Sequence, residues 1–122
     1  TGESAIKPEY TGDGTLVLEP TYKYILLEDV SDWNGSLILE DGLFLACDSN
    51  LTHKAVMRSN LSSAVAGGEG LFNLGLSGKG VVALECPCPR EELIEINLQD
   101  DVLKIDGNSM ERQPELYRRT LR

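Results

Sequence analysis

Apolar residues along this chain recur in short runs, often alternating with polar ones and broken by glycine, aspartate and asparagine. Alternation marks strands that bury one face, and the breaks mark turns between them. Thr15–Glu19 and Gly80–Glu85 are leucine- and valine-rich runs that each follow or begin at a G-x-G. Glycine ahead of a strand supplies a tight turn where the backbone needs positive φ. Ser36–Glu40 and Leu43–Cys47 flank Asp41-Gly42, and a D-G pair between two apolar runs predicts a type I′ hairpin. Thr52–Arg58 and Gly70–Leu76 are further strands. In the latter, Leu71 and Asn73 point one way and Phe72 and Leu74 the other. Pro89–Ile94 begins with proline and acids, as a helix can, but Ile94 and Ile96 alternate with Glu95 and Asn97. That spacing predicts a turn into a strand. Ahead of residue 109 no stretch holds a helical period for ten residues. Strands at this spacing predict an all-β sandwich or barrel.

The pattern also repeats. At an offset of 66 residues Gly2 meets Gly68, Glu3 meets Glu69, Gly12 meets Gly78, Gly14 meets Gly80, Leu18 meets Leu84 and Glu19 meets Glu85. A second block follows in the same order, with Leu37 answered by Leu103 at 66, then Asp41 by Asp106 and Gly42 by Gly107 at 65. Two blocks in register point to a duplication. The reading is a single β domain over residues 1–108, with copies at 1–66 and 67–108 and a separate tail at 109–122. The paired glycines and acids (Gly2, Glu3, Gly12, Gly14, Asp41, Gly42, Gly68, Glu69, Gly78, Gly80, Asp106 and Gly107) are read as structural turns.

Composition narrows the function. The 122 residues carry a net charge of −9, which disfavours a duplex nucleic-acid binder because such proteins need a basic face to meet phosphate. No apolar run reaches the ~18 residues of a membrane helix, so no membrane insertion is expected. The opening residues lack a signal-peptide pattern. The chain begins at Thr1 rather than Met, which leaves open whether a segment precedes it. Cys47, Cys86 and Cys88 form no CxxC pair, and His53 is the one histidine. A closed zinc site wants four ligands, and an odd number of thiols suits a reduced, cytoplasmic protein.

Candidate chemistry is thin. A cupin-type metal site needs two or three histidines, which this chain does not have. Ser62, Ser63 and Ser77 have no His/Asp arrangement that the sequence can place nearby. Gly67-Gly68-Glu69-Gly70 leads into a strand, whereas a phosphate loop opens a helix. The pairs Asp100-Asp101 and Glu91-Glu92 read as solvated turns, and Trp33, in D-W-N-G, as a cover for one end of the core. No catalytic, cofactor-binding or metal-binding residue is assigned, no cofactor is expected, and the chain is read as non-enzymatic.

Four strings carry a family resemblance: D-G-L-F-L-A-C at 41–47, A-G-G-E-G-L-F at 66–72, S-G-K-G-V-V-A-L-E at 77–85 and L-K-I-D-G-N at 103–108. Over residues 1–108 the chain resembles the AIM-twenty-four family of bacteria and mitochondria, whose fungal members are linked to mitochondrial inner-membrane organisation. The resemblance implies a fold similar to the tryptophan-RNA-binding attenuation protein, a β-sandwich of the double-stranded β-helix type that tends to oligomerise. It brings no catalytic residues. The function it implies is an oligomeric scaffold or partner-binding protein. The alternatives are a ring that binds a small ligand or RNA and, behind it, a metal-dependent enzyme.

The tail departs from that family. Residues 109–122 carry four arginines and two glutamates, which leaves −11 for residues 1–108. The family continues instead with strands resembling F-x-x-A-W-S and F-T-V-E. Met110 is encoded by ATG and Glu111 begins with G, so a one-base shift forces TGG, a tryptophan. Permissible codons around it restore a family-like string. The preferred reading is that the tail is out of frame and the second copy truncated; the other is a natural basic C-terminal helix. A truncated copy exposes strand edges, which pair readily with other chains, so poor solubility or oligomers that borrow strands are expected.

Overall fold

The computed structural model describes residues 7–40, 42–57, 72–100, 102 and 103. Six strands form two antiparallel three-stranded sheets, and there is no α-helix among the described residues. In chain order the strands are β1 (Tyr24–Asp29), β2 (Ser36–Leu39), β3 (Phe44–Cys47), β4 (Thr52–Met57), β5 (Phe72–Ser77) and β6 (Val81–Cys86). One sheet has the order β1-β6-β3 and the other β2-β5-β4. The fold is all-β, as the alternating pattern predicts. Five expected strands correspond to β2 through β6. The sixth, β1, is not predicted, because Tyr24–Leu27 is a continuous apolar run without alternation.

The two sheets face each other across one core. Leu26 of β1 and Val82, Leu84 and Cys86 of β6 pack in the same cluster as Leu37 and Leu39 of β2 and Leu74 and Leu76 of β5. The registers explain the selection. Leu26 lies opposite Leu84, while Leu37 lies opposite Leu76 and Leu39 opposite Leu74. Opposite residues share a sheet face, so alternate leucines of neighbouring strands fall on one side. Removing each such side chain from water contributes about 1.5–3 kcal/mol.

The end of the sandwich is closed by a 3-10 turn, η1 (Val30–Trp33). Asp29 caps it: its Oδ1 accepts from the Ser31 amide at 3.0 Å and from the Ser31 hydroxyl at 2.6 Å. Val30 and Trp33 are three residues apart, on one face of a 3-10 turn, and both are buried. Trp33 thus covers one end of the core.

Three expectations are corrected. The Asp41-Gly42 pair does not make a hairpin, because β2 pairs with β5 and β3 with β6. The chain turns there, with the Leu43 amide donating to the Glu40 carbonyl at 3.2 Å, and Gly42 takes φ of +91°. The turn carries the chain from one sheet to the other. Thr15–Glu19 has the composition of a strand but joins no ladder. After Pro89 the expected turn is present as η2 (Arg90–Glu92), but residues 93–98 do not continue as a strand.

Candidate interaction surface

The glycine corner at 78–80 holds the sandwich together at one end. The Gly78 amide donates to the Gly35 carbonyl at 3.1 Å, and the Gly80 carbonyl accepts from the Val30 amide at 2.9 Å. Both ends of η1 are therefore fastened to this corner, just where the chain passes from β5 to β6. Asp48 fastens the third side: its Oδ2 accepts from the Val81 amide at 2.8 Å, and its own amide donates to the Val81 carbonyl at 2.9 Å. The approach at Gly80 is tight: a Cβ there would lie 3.1 Å from both Asp48 Cβ and Leu51 Cγ, so these neighbours would have to give by a few tenths of an ångström.

The remaining turn residues divide between described and undescribed positions. Gly12, Gly14, Gly42 and Gly78 all have positive φ. Gly2, Glu3, Asp41, Gly68, Glu69, Asp106 and Gly107 lie outside the described residues, as do Ser62 and Ser63. The duplicated G-x-G at 12–14 therefore shares its backbone sign with the one at 78–80, yet it leads into an unpaired segment.

The groups with chemical potential are scattered. His53 is exposed on β4. Among the described residues no three His, Cys, Asp or Glu side chains gather as a metal cluster. All three cysteines are free. Cys86 and Cys88 hold their sulfurs 3.7 Å apart, and Cys47 packs at the rim of the core. Burial first, then the hydrogen bond with Cys86 and the nearby negative charges, push the Cys88 thiol up to about 11. Burial also raises Cys47, with the carboxylate of Asp48 adding to it. These are thiols kept protonated at neutral pH, which makes them poor nucleophiles.

A polar network that no local pattern reveals joins Glu28 and Trp33 to the distant Arg90. The Trp33 indole donates to Glu28 Oε1 at 2.9 Å. Arg90 pairs with Glu28 Oε2 at 2.6 Å and donates to the Leu27 carbonyl at 3.0 Å. A single guanidinium thus pins η2 against β1 and neutralises a largely covered carboxylate.

What the surface does offer is apolar area. On β1 the side chains that face away from the core are Ile25 and Leu27, 47% and 64% exposed. The register sets Leu27 opposite Ala83 and Asp29 opposite Val81, so β6 extends the same outer face. Leu16, Val17 and Leu18 lead toward this sheet and are exposed as well, followed by Tyr22 at 95%. Tyr22 also takes a positive φ of 59°, a conformation that costs a bulky residue free energy. No helix among the described residues is long and apolar enough to cross a membrane.

The family model for mitochondrial biogenesis AIM24 matches residues 1–110. The chain belongs to the AIM24 family. No curated protein and no solved structure matches it. The AIM24 match ends close to Asn108, where the D-G-N string closes and the arginine-rich tail begins.

Proposed function

We propose that this chain is a non-enzymatic β-sandwich scaffold that acts by assembling with itself or by binding a protein partner. The observation that carries the reading is the outer face of the β1-β6-β3 sheet, where Ile25, Leu27 and Val81 stand in solvent; the run Leu16–Leu18 is exposed as well. A small domain that leaves large aliphatic side chains side by side on a sheet face has an interaction site there. The chemistry-bearing groups support the same reading. The thiols of Cys47 and Cys88 are held protonated, and Glu28 and Asp48 are committed to holding the fold. The resemblance to the attenuation protein's fold would make the assembly a ring. Three free thiols suit the reducing cytoplasm, whereas the family name points to mitochondria; fractionation of cells that express the tagged protein decides between them.

The test is the mass of the native protein in solution, by sedimentation velocity across a range of concentrations. An oligomer, or a stable complex with a captured partner, supports the reading. A strict monomer that binds no partner overturns it.

A further inference from the structure

The three thiols stand in different surroundings, and two of them are neighbours. Cys86 ends the inward row Val82, Leu84, Cys86 of β6 and is 0% exposed. Pro87 follows. Proline has no amide to donate to a ladder, so the strand stops there, and the chain bends at 87 and 88. In a strand that continued, the Cα two residues on would lie ~6.6 Å away. That is the far edge of the ~4.4–6.8 Å that a disulfide spans. Beyond the bend Cys88 packs against the core as well, and the two sulfurs come to 3.7 Å, one thiol donating to the other. They need to approach by only about 1.7 Å more to reach the ~2.05 Å of a disulfide bond.

The third thiol does not compete for Cys86. Cys47 lies opposite Val82, which places it ~13 Å along β6 from Cys86, and no disulfide spans that distance. Exposure also sets an order of reaction. Cys88 is half-buried and Cys86 is fully buried, so a small molecule in solvent meets Cys88 first. The pair sits at a joint of the fold. It links the end of β6 to the segment that leads into η2, whose Arg90 holds Glu28 and the Leu27 carbonyl on β1.

We propose that Cys86 and Cys88 form a reversible dithiol–disulfide pair whose oxidant is a low-molecular-weight disulfide of the glutathione class. Cys88 gives up its proton, and its thiolate attacks one sulfur of oxidised glutathione. A mixed disulfide forms, and the other glutathione leaves as a thiolate that takes up a proton. Cys86 then gives up its proton and attacks the Cys88 sulfur. The Cys86–Cys88 bond forms as the mixed disulfide breaks, and the second glutathione leaves and is protonated. The protein loses two electrons and two protons, and oxidised glutathione gains both to become two reduced molecules. Reduced glutathione runs the same steps backwards. The exchange proceeds through thiolates, so the raised Cys88 thiol slows the first attack. The site stands apart from the assembly reading, because both sulfurs belong to one chain.

The test holds the full chain in mixtures of reduced and oxidised glutathione until the products are constant. The exchange is then quenched with acid, the remaining thiols are blocked with a maleimide, and the chain is digested with trypsin. Cleavage after Lys79 and Arg90 puts Cys86 and Cys88 in one peptide, 80–90, and Cys47 in another, 24–54. As the share of oxidised glutathione rises, peptide 80–90 should become lighter by two hydrogens and take up no maleimide. Added reduced glutathione should restore it. At a given glutathione ratio the closed fraction should be several-fold higher in the native protein than in the chain unfolded in urea. A peptide 80–90 that ends with both thiols blocked, or carrying glutathione, overturns the proposal. So does a link from Cys47 to either partner, or equal closure in the native and unfolded chains. Single variants test the order. Cys86→Ser should trap glutathione on Cys88, and Cys88→Ser should leave Cys86 unmodified. The reverse pattern overturns Cys88 as the point of entry.

Discussion

At the scale of single residues, Gly80 is a demanding position. Its missing Cβ is what allows Asp48 and Leu51 to close over the start of β6. Gly80→Ala is expected to lower stability by about 1–3 kcal/mol, the usual cost of forcing atoms into a filled site, seen as a shift of the urea midpoint. Trp33→Phe keeps the ring in the core but removes the indole donor to Glu28, at a cost of about 1 kcal/mol. The Cys88 thiol gives a pH prediction with a definite sign. Its value is raised to about 11 from an ordinary 9.0, so the folded state keeps a proton that the unfolded state loses first. Its contribution is full below pH 9 and is lost as pH rises from about 9 toward 11. Alkylation of Cys88 in a Cys47→Ser background should be slow at pH 8 and rise steeply only above pH 9; a midpoint at ordinary thiol pH would contradict this account. The sequence shows that the thiols form no metal-binding spacing, and it shows Trp33 in a turn. It does not show the Trp33–Glu28–Arg90 network, because Arg90 and Leu27 meet across 63 residues, and no local pattern encodes such a contact.

At the scale of elements, the strands are legible where their alternation is clear. Leu37 and Leu39 alternate with Ser36 and Ile38, and β2 buries its leucines. The partners of those strands are not legible. A D-G turn has the same local chemistry whether the chain returns alongside itself or passes to a facing sheet. Only the long-range pairing of β5 with β2 and of β6 with β3 decides it. Thr15–Glu19 shows the other limit: strand composition is a property of the segment, whereas a strand exists only with a neighbour to bond. β6 is the element on which its sheet depends, since both β1 and β3 bond to it. Leu84→Ala, at a site 1% exposed, should therefore cost about 2–5 kcal/mol. Amide exchange offers a second reading, with β6 amides the slowest of that sheet. Faster exchange in β6 than in β1 would mean that β6 is not the central strand in solution.

At the scale of the whole molecule, the sequence motifs suffice for the family, and the all-β fold follows from alternation. The surface does not follow, because an exposed and a buried leucine look the same in a sequence. Leu27 and Leu26 are neighbours on β1, yet one is 64% exposed and the other 7%. This difference supplies the last prediction. An Ile25→Lys/Leu27→Lys double variant places two cations on the outer face without touching the core. If that face serves assembly, the variant should sediment as a smaller species than wild type at equal concentration. Its urea midpoint should correspond to a stability within about 0.5 kcal/mol of wild type, as for surface changes away from special contacts, provided the comparison is made at a dilution where both are dissociated. The two readouts separate the possible causes. Loss of assembly with the fold intact assigns the outer face to association. Loss of both would mean that the face is covered in the isolated molecule. Unchanged sedimentation of an oligomer would move the contact away from β1.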